Sequence, residues 1–273
     1  MSDGGSPPSA TLICGDAIER MAGMADGSVD LIVADPPYNL GKNYGNNRDL
    51  RAWSDYEAFT RDWLGHATRL LRPGGSIYMF MGVRFISRLF VMAEEDIGLA
   101  FQGWITWHYT QGMGRTRGFS PRHEDILFFS NGPDITFNLD DVRVPQKYYR
   151  KRNNMAGANP GDVWQFSHVH YCSAERVDHP TQKPEGLIER IVRASSNPGD
   201  LVLDPFVGSG TTARVASVLG RRAVGIDVNP DYIAMAERRL AAPFDGFDSA
   251  DPRVDRAPRD LPPDGTGQTE LEF

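Results

Sequence analysis

The chain has 273 residues, of which 40% are hydrophobic, and a formal net charge of −7. This length suits one large domain or two small ones. No apolar stretch approaches the roughly 20 residues of a membrane span and no basic, apolar leader opens the chain, so we expect neither a membrane protein nor a secreted one, and no membrane partner. The only cysteines are Cys14 and Cys172, which excludes a disulfide framework and fits a cytoplasmic location.

Short apolar runs alternate with helical patterns along most of the chain. The predicted strands lie at residues 12–14, 29–34, 75–81, 104–109, 125–130, 201–203 and 223–226. The predicted helices lie at residues 56–71, 84–95, 185–195, 211–219 and 230–240. This alternation predicts an α/β fold with a mostly parallel sheet covered on both faces. We expect one domain over residues 11–242, with disorder in the Gly/Ser/Pro-rich residues 1–10 and in the acidic tail 243–273.

The tetrapeptide Asp35-Pro36-Pro37-Tyr38 directly follows the predicted strand 29–34. It therefore lies at a strand's C-terminal end, the edge where ligands bind in open α/β sheets. Asp35 can accept one N–H, and the Pro36 carbonyl can accept another. Tyr38 offers a face for stacking a base. The set suits the binding of a planar amino group that must lose a proton.

A glycine-rich turn follows the strand at 201–203 and opens the helix at 211–219. Gly208 and Gly210 allow a ligand to approach the backbone, and Asp204 at the strand end can orient a charged amino acid. The next strand ends at Asp227, which can accept two hydrogen bonds from a ribose diol. The same run fits the loose dinucleotide fingerprint, so a NAD-dependent oxidoreductase of the Rossmann type is the competing interpretation.

The segment 179–184 precedes the helix that leads into the glycine strand. Lys183 can bind a carboxylate and Thr181 can hydrogen-bond one. The alternative is a surface lysine beside a helix N-terminus. Its position next to the glycine strand favours the functional interpretation.

Taken together, these motifs resemble the β class of amino-group DNA methyltransferases, in which the catalytic motif precedes the cofactor loop. The resemblance covers residues 12–240 and includes Gly15-Asp16, which is similar to the family's adenine-binding position. It implies a Rossmann-like methyltransferase fold with a seven-stranded, mostly parallel sheet, one antiparallel strand and a circularly permuted motif order. It also implies a homodimer, a double-stranded DNA substrate and S-adenosylmethionine as cofactor.

The resemblance assigns a role to each motif. Asp35, Pro36, Pro37 and Tyr38 are expected to be catalytic, in methyl transfer to N6 of adenine by direct in-line attack after base flipping. The alternative target is N4 of cytosine, whose enzymes typically begin the motif with Ser. The expected cofactor-binding residues are Asp16, Ala17, Asp35, His179, Thr181, Lys183, Asp204, Phe206, Gly208, Ser209, Gly210, Thr211, Thr212, Asp227 and Val228. A cognate restriction endonuclease and association with the nucleoid are further expectations.

The net charge is unevenly distributed. From Asp245 onward, eight acidic residues stand against three arginines, which gives 8 − 3, or −5 of the −7. By contrast, residues 143–152 hold five cations and two tyrosines without an acid, inside a recognition segment predicted at about 137–178. Such a mixture is typical of nucleic-acid contacts. The predicted DNA-binding residues are Tyr44, Arg115, Arg117, Arg143, Lys147, Tyr148, Tyr149, Arg150, Lys151 and Arg152.

The run from His168 to Cys172 places two histidines and a thiol close together. It superficially resembles a zinc site, but the CxxC spacing is absent and methyl transfer needs no metal. We therefore expect no metal, and a half-buried polar strand at this run.

Overall fold

The computed structural model describes residues 10–41, 50–110, 112, 114–145 and 157–247. The strands are β1 (Ala10–Cys14), β2 (Val29–Ala34), β3 (Leu71–Met81), β4 (Ala100–His108), β5 (His123–Ser130), β6 (Val163–Gln165), β7 (Leu201–Asp204) and β8 (Arg222–Asp227). The α-helices are α1 (Ala17–Ala22), α2 (Trp53–Leu70), α3 (Ile86–Val91), α4 (Glu185–Ser195), α5 (Thr211–Val218) and α6 (Pro230–Ala241). A π-helical turn at Met92–Asp96 continues α3, and a 3-10 turn lies at Leu139–Val142.

All of these strands form a single sheet in the order β1-β8-β7-β2-β3-β5-β4-β6. Only β5 runs antiparallel to its neighbours, β3 and β4; the other neighbouring pairs are parallel. This confirms the predicted fold class. The described sheet has eight strands instead of the seven predicted, because the short β6 adds to its edge beside β4.

The core lies on both faces of the sheet. In β2, the consecutive residues Leu31, Ile32, Val33 and Ala34 are all buried. Successive strand residues point to opposite faces, so helices must cover both. The helices α1 and α2 contact each other, while α4, α5 and α6 form a second contiguous group. An apolar run without alternation is therefore the pattern that a central parallel strand, buried on both faces, shows in the sequence.

The pairing of β2 with β3 is interrupted by a bulge at the start of β3. The register between β2 and β3 shifts after Val29, where the chain passes through Arg72-Pro73-Gly74-Gly75. Gly74 has φ of +75°, and a Cβ there would lie 2.2 Å from the Asp134 carbonyl oxygen, so only glycine fits. Arg72 pairs with Asp30 at 2.5 Å, and Asp30 also accepts the Leu201 N–H at 2.8 Å. The carboxylate thereby ties β2 to β7.

Several predicted elements differ from those observed. The helix α1 and the strand β6 are absent from the prediction because both are short and weakly periodic. The predicted helix 84–95 starts two residues later, at Ile86, and changes to π-helical hydrogen bonding at Met92. The run from His168 to Cys172 is irregular and not a strand, so that expectation was wrong. No helix within the described ranges is both long and apolar enough to cross a membrane.

Candidate active site

The two predicted motifs meet at one edge of the sheet. The strands β2 and β7 pair in parallel, with Leu31 opposite Val202 and Ile32 opposite Leu203. The carboxyl ends of both strands therefore lie side by side, although 169 positions, 204 − 35, separate Asp35 from Asp204. This places the tetrapeptide next to the glycine turn, as the sequence analysis expects of a single cleft.

The glycine turn after β7 has a backbone that other residues would disrupt. Gly208 and Gly210 have φ of +44° and +82°. A Cβ at position 210 would lie 2.6 Å from the Cβ of Ala236 in α6, and one at 208 would lie 2.8 Å from Nε2 of His179. Glycine is thus required both for conformation and for the close approach of neighbours.

A buried ion-pair network holds this turn from behind. The guanidinium of Arg239 donates to the Ser209 carbonyl at 3.0 Å and to the Thr211 hydroxyl at 2.9 Å. It also pairs with Glu185 at 2.6 Å, and Glu185 pairs with Arg214 at 3.1 Å. Three helices, α4, α5 and α6, are therefore tied to the cofactor turn.

The remaining predicted cofactor residues line the neighbouring strand ends. Asp227, at the end of β8, accepts N–H groups of Gly208 at 3.0 Å and Asn229 at 2.8 Å. Asp16 follows β1 and caps α1, where its Oδ1 accepts the Ile18 N–H at 2.9 Å and the Glu19 N–H at 3.1 Å. Ala17 is buried at the start of α1, and Val228 is exposed. Asp16 is exposed at the same edge, and its second oxygen is not used by the cap.

The segment 179–184 joins the two halves of the site. The Thr211 hydroxyl, at the start of α5, donates to the Lys183 carbonyl at 3.1 Å. The Thr181 N–H donates to Nδ1 of His179 at 3.3 Å, and the His179 ring packs against Tyr232. The backbone of Lys183 is thus anchored on the cofactor side, which leaves its side chain to reach across.

The Lys183 ammonium does reach the tetrapeptide. Its Nζ lies 2.5 Å from Oδ2 of Asp35 and 3.6 Å from Oε2 of Glu124. The Tyr38 hydroxyl donates to the same two carboxylates, at 2.7 Å to Asp35 and 3.1 Å to Glu124. Two donors therefore bridge two carboxylates. We call Asp35, Tyr38, Glu124 and Lys183 the tetrad.

Electrostatics fix the protonation of the two donors. Burial alone would lower the pKa of Lys183, but the charges of Asp35 and Glu124 and their hydrogen bonds outweigh it and raise that pKa. Burial, with the charges of the same carboxylates, raises the pKa of Tyr38 well above its usual value. Lys183 is therefore an ammonium and Tyr38 a neutral hydroxyl at neutral pH. With both carboxylates ionised, the tetrad has a net charge of −1.

The tetrapeptide leaves one carbonyl available for an amine. The Pro37 carbonyl accepts the Tyr56 hydroxyl at 2.6 Å. No hydrogen bond to the Pro36 carbonyl occurs among the residues that the structure describes. The Tyr38 ring, only 8% exposed, is held inward by its two hydrogen bonds. A base can therefore stack on the Tyr38 ring only if Tyr38 rotates, or if the base displaces the residues that now cover the ring.

The Asp204 carboxyl, at the end of β7, has a raised pKa. Burial raises its pKa to about 7, against the lowering effect of hydrogen bonds from the Thr212 side chain and the Phe206 N–H. The negative charges of Asp35 and Asp227 raise it further. Burial also raises the pKa of Asp227. The cofactor edge is therefore prepared for a ligand with positive charge.

A cavity of about 510 Å³ opens beside the tetrad. Its walls include Glu124, His168, His179, Thr181, Lys183 and Tyr232. The segment 179–184 and two members of the tetrad, Glu124 and Lys183, thus face the same space. The size is within the range of pockets for small organic ligands.

The structure places only part of the predicted DNA-binding set. Tyr44 and residues 147–152 lie outside the described residues. Arg143 pairs with Asp140 at 2.6 Å and donates to the Gly157 carbonyl at 3.1 Å, so part of its binding capacity is used internally. Arg115 and Arg117 are exposed on the loop between β4 and β5.

Glu124 is the member of the tetrad that the sequence alone does not predict. It is the second residue of β5, and an antiparallel strand begins at the edge where its parallel neighbours end. The acidic pair Glu124-Asp125 at the start of a predicted strand is the one feature that could have indicated it. That feature points to the site only if β5 is known to run antiparallel to β3. Within the described part of the chain, no group of three or more His, Cys, Asp or Glu residues is arranged to bind a metal ion.

The fold is that of a methyltransferase, with the tetrapeptide after β2 and the glycine turn after β7. The family model described as "DNA methylase", for N6 and N4 amino groups, matches residues 29–238. The chain therefore belongs to the amino-group DNA methylase family. Membership confirms the resemblance, excludes the NAD-dependent interpretation and confirms S-adenosylmethionine as the methyl donor of the family.

Individual proteins agree with this assignment. Type II methyltransferase M.HpaI of Haemophilus parainfluenzae is 56% identical over 251 residues, which is 92% of this chain and 80% of that protein. DNA adenine methyltransferase YhdJ of Escherichia coli K12 is 38% identical over 84% of this chain and 82% of its own. The crystal structure of an M1.HpyAVI–S-adenosylmethionine complex superposes with a TM-score of 0.63 at 25% identity, covering 86% of this chain and all of that one.

Proposed function

We propose that this protein methylates N6 of adenine in double-stranded DNA. The observation that carries the proposal is that two hydrogen-bond acceptors, the Asp35 carboxylate and the Pro36 carbonyl, lie side by side next to the glycine turn. These two acceptors match the two N–H bonds of an exocyclic amine. An aspartate at the first motif position, together with the relative named as an adenine methyltransferase, favours adenine over the N4-cytosine alternative.

The tetrad supplies positioning and charge for the reaction. The exocyclic amine is a poor nucleophile because its lone pair is delocalised into the ring. Hydrogen bonds from its N–H groups to Asp35 and Pro36 favour a tetrahedral nitrogen with a directed lone pair, which attacks in line. Bound S-adenosylmethionine would supply the electrophilic methyl group, whose bond to sulfur breaks as the bond to N6 forms, and the methylated nitrogen then loses one proton to water. The target amine is enclosed in a duplex, so the base must first flip out.

The net charge of the tetrad supports the same step. Positive charge develops on the amine as the methyl group arrives, and a site with two carboxylates and one ammonium stabilises it. Each oxygen of Asp35 has two lone pairs, of which Lys183 or Tyr38 uses one. Asp35 can therefore keep Lys183 and still accept an N–H. We propose that Lys183 orients Asp35 in addition to any contact with the cofactor.

The cofactor contacts follow from the strand ends. Asp204 and the turn from Phe206 to Gly210 hold the methionine part, with Asp227 on the ribose and Asp16 on the adenine amine. Thr181 and His179 close the site from the segment 179–184. We further propose that the protein modifies a defined DNA sequence and has a cognate endonuclease, in line with the Type II relatives.

We expect the affinity for S-adenosylmethionine to fall about five- to tenfold when the pH is lowered from 7.5 to 6. The pKa of Asp204 is about 7, and a cationic ligand favours its ionised form. Below pH 7 a proton must leave before the ligand binds, so affinity rises with pH through about 7 and then levels off. Calorimetry from pH 6 to 8.5 measures this.

The matched control for this titration is Asp204→Asn, which keeps the shape of the side chain without its proton equilibrium. Its affinity should be lower than that of the wild type at pH 7.5 and nearly constant between pH 6 and 7.5. A wild-type affinity that does not change with pH would refute the assignment of Asp204. An equal slope in both proteins would do the same.

Nucleoside analysis tests the proposed reaction as a whole. DNA from cells expressing the chain is digested and its modified nucleosides are separated by mass spectrometry. We expect N6-methyladenine that is absent from cells without the chain. A product containing only N4-methylcytosine would overturn the choice of base, and the absence of both would overturn the proposal.

A further inference from the structure

The loop between β4 and β5 lies at the catalytic edge of the sheet. The strand β4 ends and β5 begins at the pair His108–His123, and β5 then runs antiparallel to β3, with Asp125 opposite Met81. The start of β5 is therefore level with the end of β3, next to the tetrapeptide. Glu124, one residue into β5, belongs to the tetrad. The loop thus emerges directly beside the site where the target amine is proposed to bind.

This loop presents a phenylalanine to solvent. Phe119 is 97% exposed, which makes it the most exposed large hydrophobic side chain among the described residues. Its neighbour Gly118 has φ of +79°, and the Arg115 N–H donates to the Ser120 hydroxyl at 2.9 Å. The bend therefore projects the ring outward. Covering this ring with another molecule would remove its apolar surface from water, which is favourable.

The charge of the loop identifies that molecule. Arg115, Arg117 and Arg122 flank Phe119 in the sequence, and the sequence between Tyr109 and His123 contains no Asp or Glu. A second copy of the chain would bring the same cations face to face across a twofold axis, which is unfavourable. A duplex offers both phosphates for the arginines and stacked bases for the ring. The loop is thus complementary to DNA and not to itself.

We infer that Phe119 is a wedge that enters the base stack where the target nucleotide leaves it. The inference rests on the proposed function, because it assumes an extruded base. Arg115 and Arg117 then contact the flanking phosphates, and the inserted ring replaces the stacking that the neighbouring base pairs lose. Apolar wedges of this kind stabilise unstacked steps in other DNA complexes.

The test compares Phe119→Ala with the wild type on two duplexes. Long-read sequencing of DNA from cells expressing the chain first identifies the methylated sequence, and oligonucleotides with that sequence are the probes. We expect the substitution to lower kcat/KM about 10- to 100-fold on the fully paired duplex. On a duplex with an abasic site opposite the target base, where extrusion requires little energy, the loss should shrink to less than about threefold.

Two further measurements separate a wedge from other roles. The fluorescence of 2-aminopurine at the target position should rise on binding to the wild type and much less on binding to Phe119→Ala. Phe101→Ala is the matched control, since Phe101 is an aromatic side chain that is 44% exposed at the start of β4, the end of that strand away from this loop. This control should have the wild-type kcat/KM on both duplexes and the wild-type rise in fluorescence.

Three outcomes would overturn the inference. The first is an unchanged kcat/KM for Phe119→Ala, and the second is an equal loss on both duplexes. The third is a wild type that sediments as a dimer and a Phe119→Ala variant that sediments as a monomer with the same activity per subunit. Each of these leaves the proposed reaction intact. Failure of the proposed function is distinguishable, because the wild type itself would then methylate neither duplex.

Discussion

Replacing Asp35 with Asn is expected to lower kcat for methyl transfer by about 10³-fold or more. The substitution keeps the shape of the side chain but removes the charge that stabilises the positive amine. It also exchanges one acceptor oxygen for an NH₂ donor, which repels the N–H groups of the target. The rate is measured as transfer of a labelled methyl group to duplex DNA under saturating cofactor.

The matched control is Asp30→Asn, at the other end of the same strand. Asp30 is also a carboxylate paired with a cation, Arg72, but it faces the edge opposite the cofactor turn. We expect it to lower the melting temperature and leave kcat within about threefold. Full activity of Asp35→Asn, or an equal loss in both variants, would contradict the catalytic role of the tetrapeptide.

Replacing Lys183 with Met is expected to lower kcat by about 10²-fold while the KM for S-adenosylmethionine changes less than about threefold. The ammonium lies 2.5 Å from Asp35, so its loss removes the positive partner of that carboxylate. Two carboxylates then share the Tyr38 hydroxyl without a counter-charge.

A second substitution provides the control for this loss. Glu124→Gln removes the neighbouring carboxylate, so in the Lys183→Met/Glu124→Gln double variant Asp35 no longer faces an uncompensated like charge, and part of the lost kcat should return. Melting temperatures show whether each variant remains folded. If Lys183→Met instead raises the KM for S-adenosylmethionine and leaves kcat unchanged, Lys183 binds the cofactor carboxylate and does not orient Asp35.

The helices and strands that could be predicted are those whose own residues carry a signal, such as hydrophobic periodicity or a helix cap. The apolar run of β2 and the cap Asn229 with Pro230 at the start of α6 are signals of this kind. The strand β6 has only three residues and depends on its partner β4, so no local pattern indicates it. The acidic tail from Asp248 onward and the cation-rich residues 147–152 lie outside the described residues, and those expectations remain predictions.

Side-chain pairing across the site was less predictable than the motifs themselves. The sequence places Lys183 near the cofactor turn, and its carbonyl is indeed bonded to Thr211. Its side chain, however, contacts Asp35, which lies 148 positions away in the chain. Spacing indicates which strand ends meet, but not which of several carboxylates a flexible ammonium chooses. Tyr38 is another example, because its partner Glu124 is on a strand whose direction the sequence does not fix.

The central claim is that Asp35 and the glycine turn form one cleft in which the target amine meets the methyl donor. A crystal structure of the protein with sinefungin and a duplex containing the methylated sequence tests it most directly. We predict an extrahelical adenine with N6 within hydrogen-bonding distance of both Asp35 and the Pro36 carbonyl, and ~3–3.5 Å from the atom that replaces the methyl group. An adenine that remains stacked, or an N6 held away from Asp35, would contradict the account.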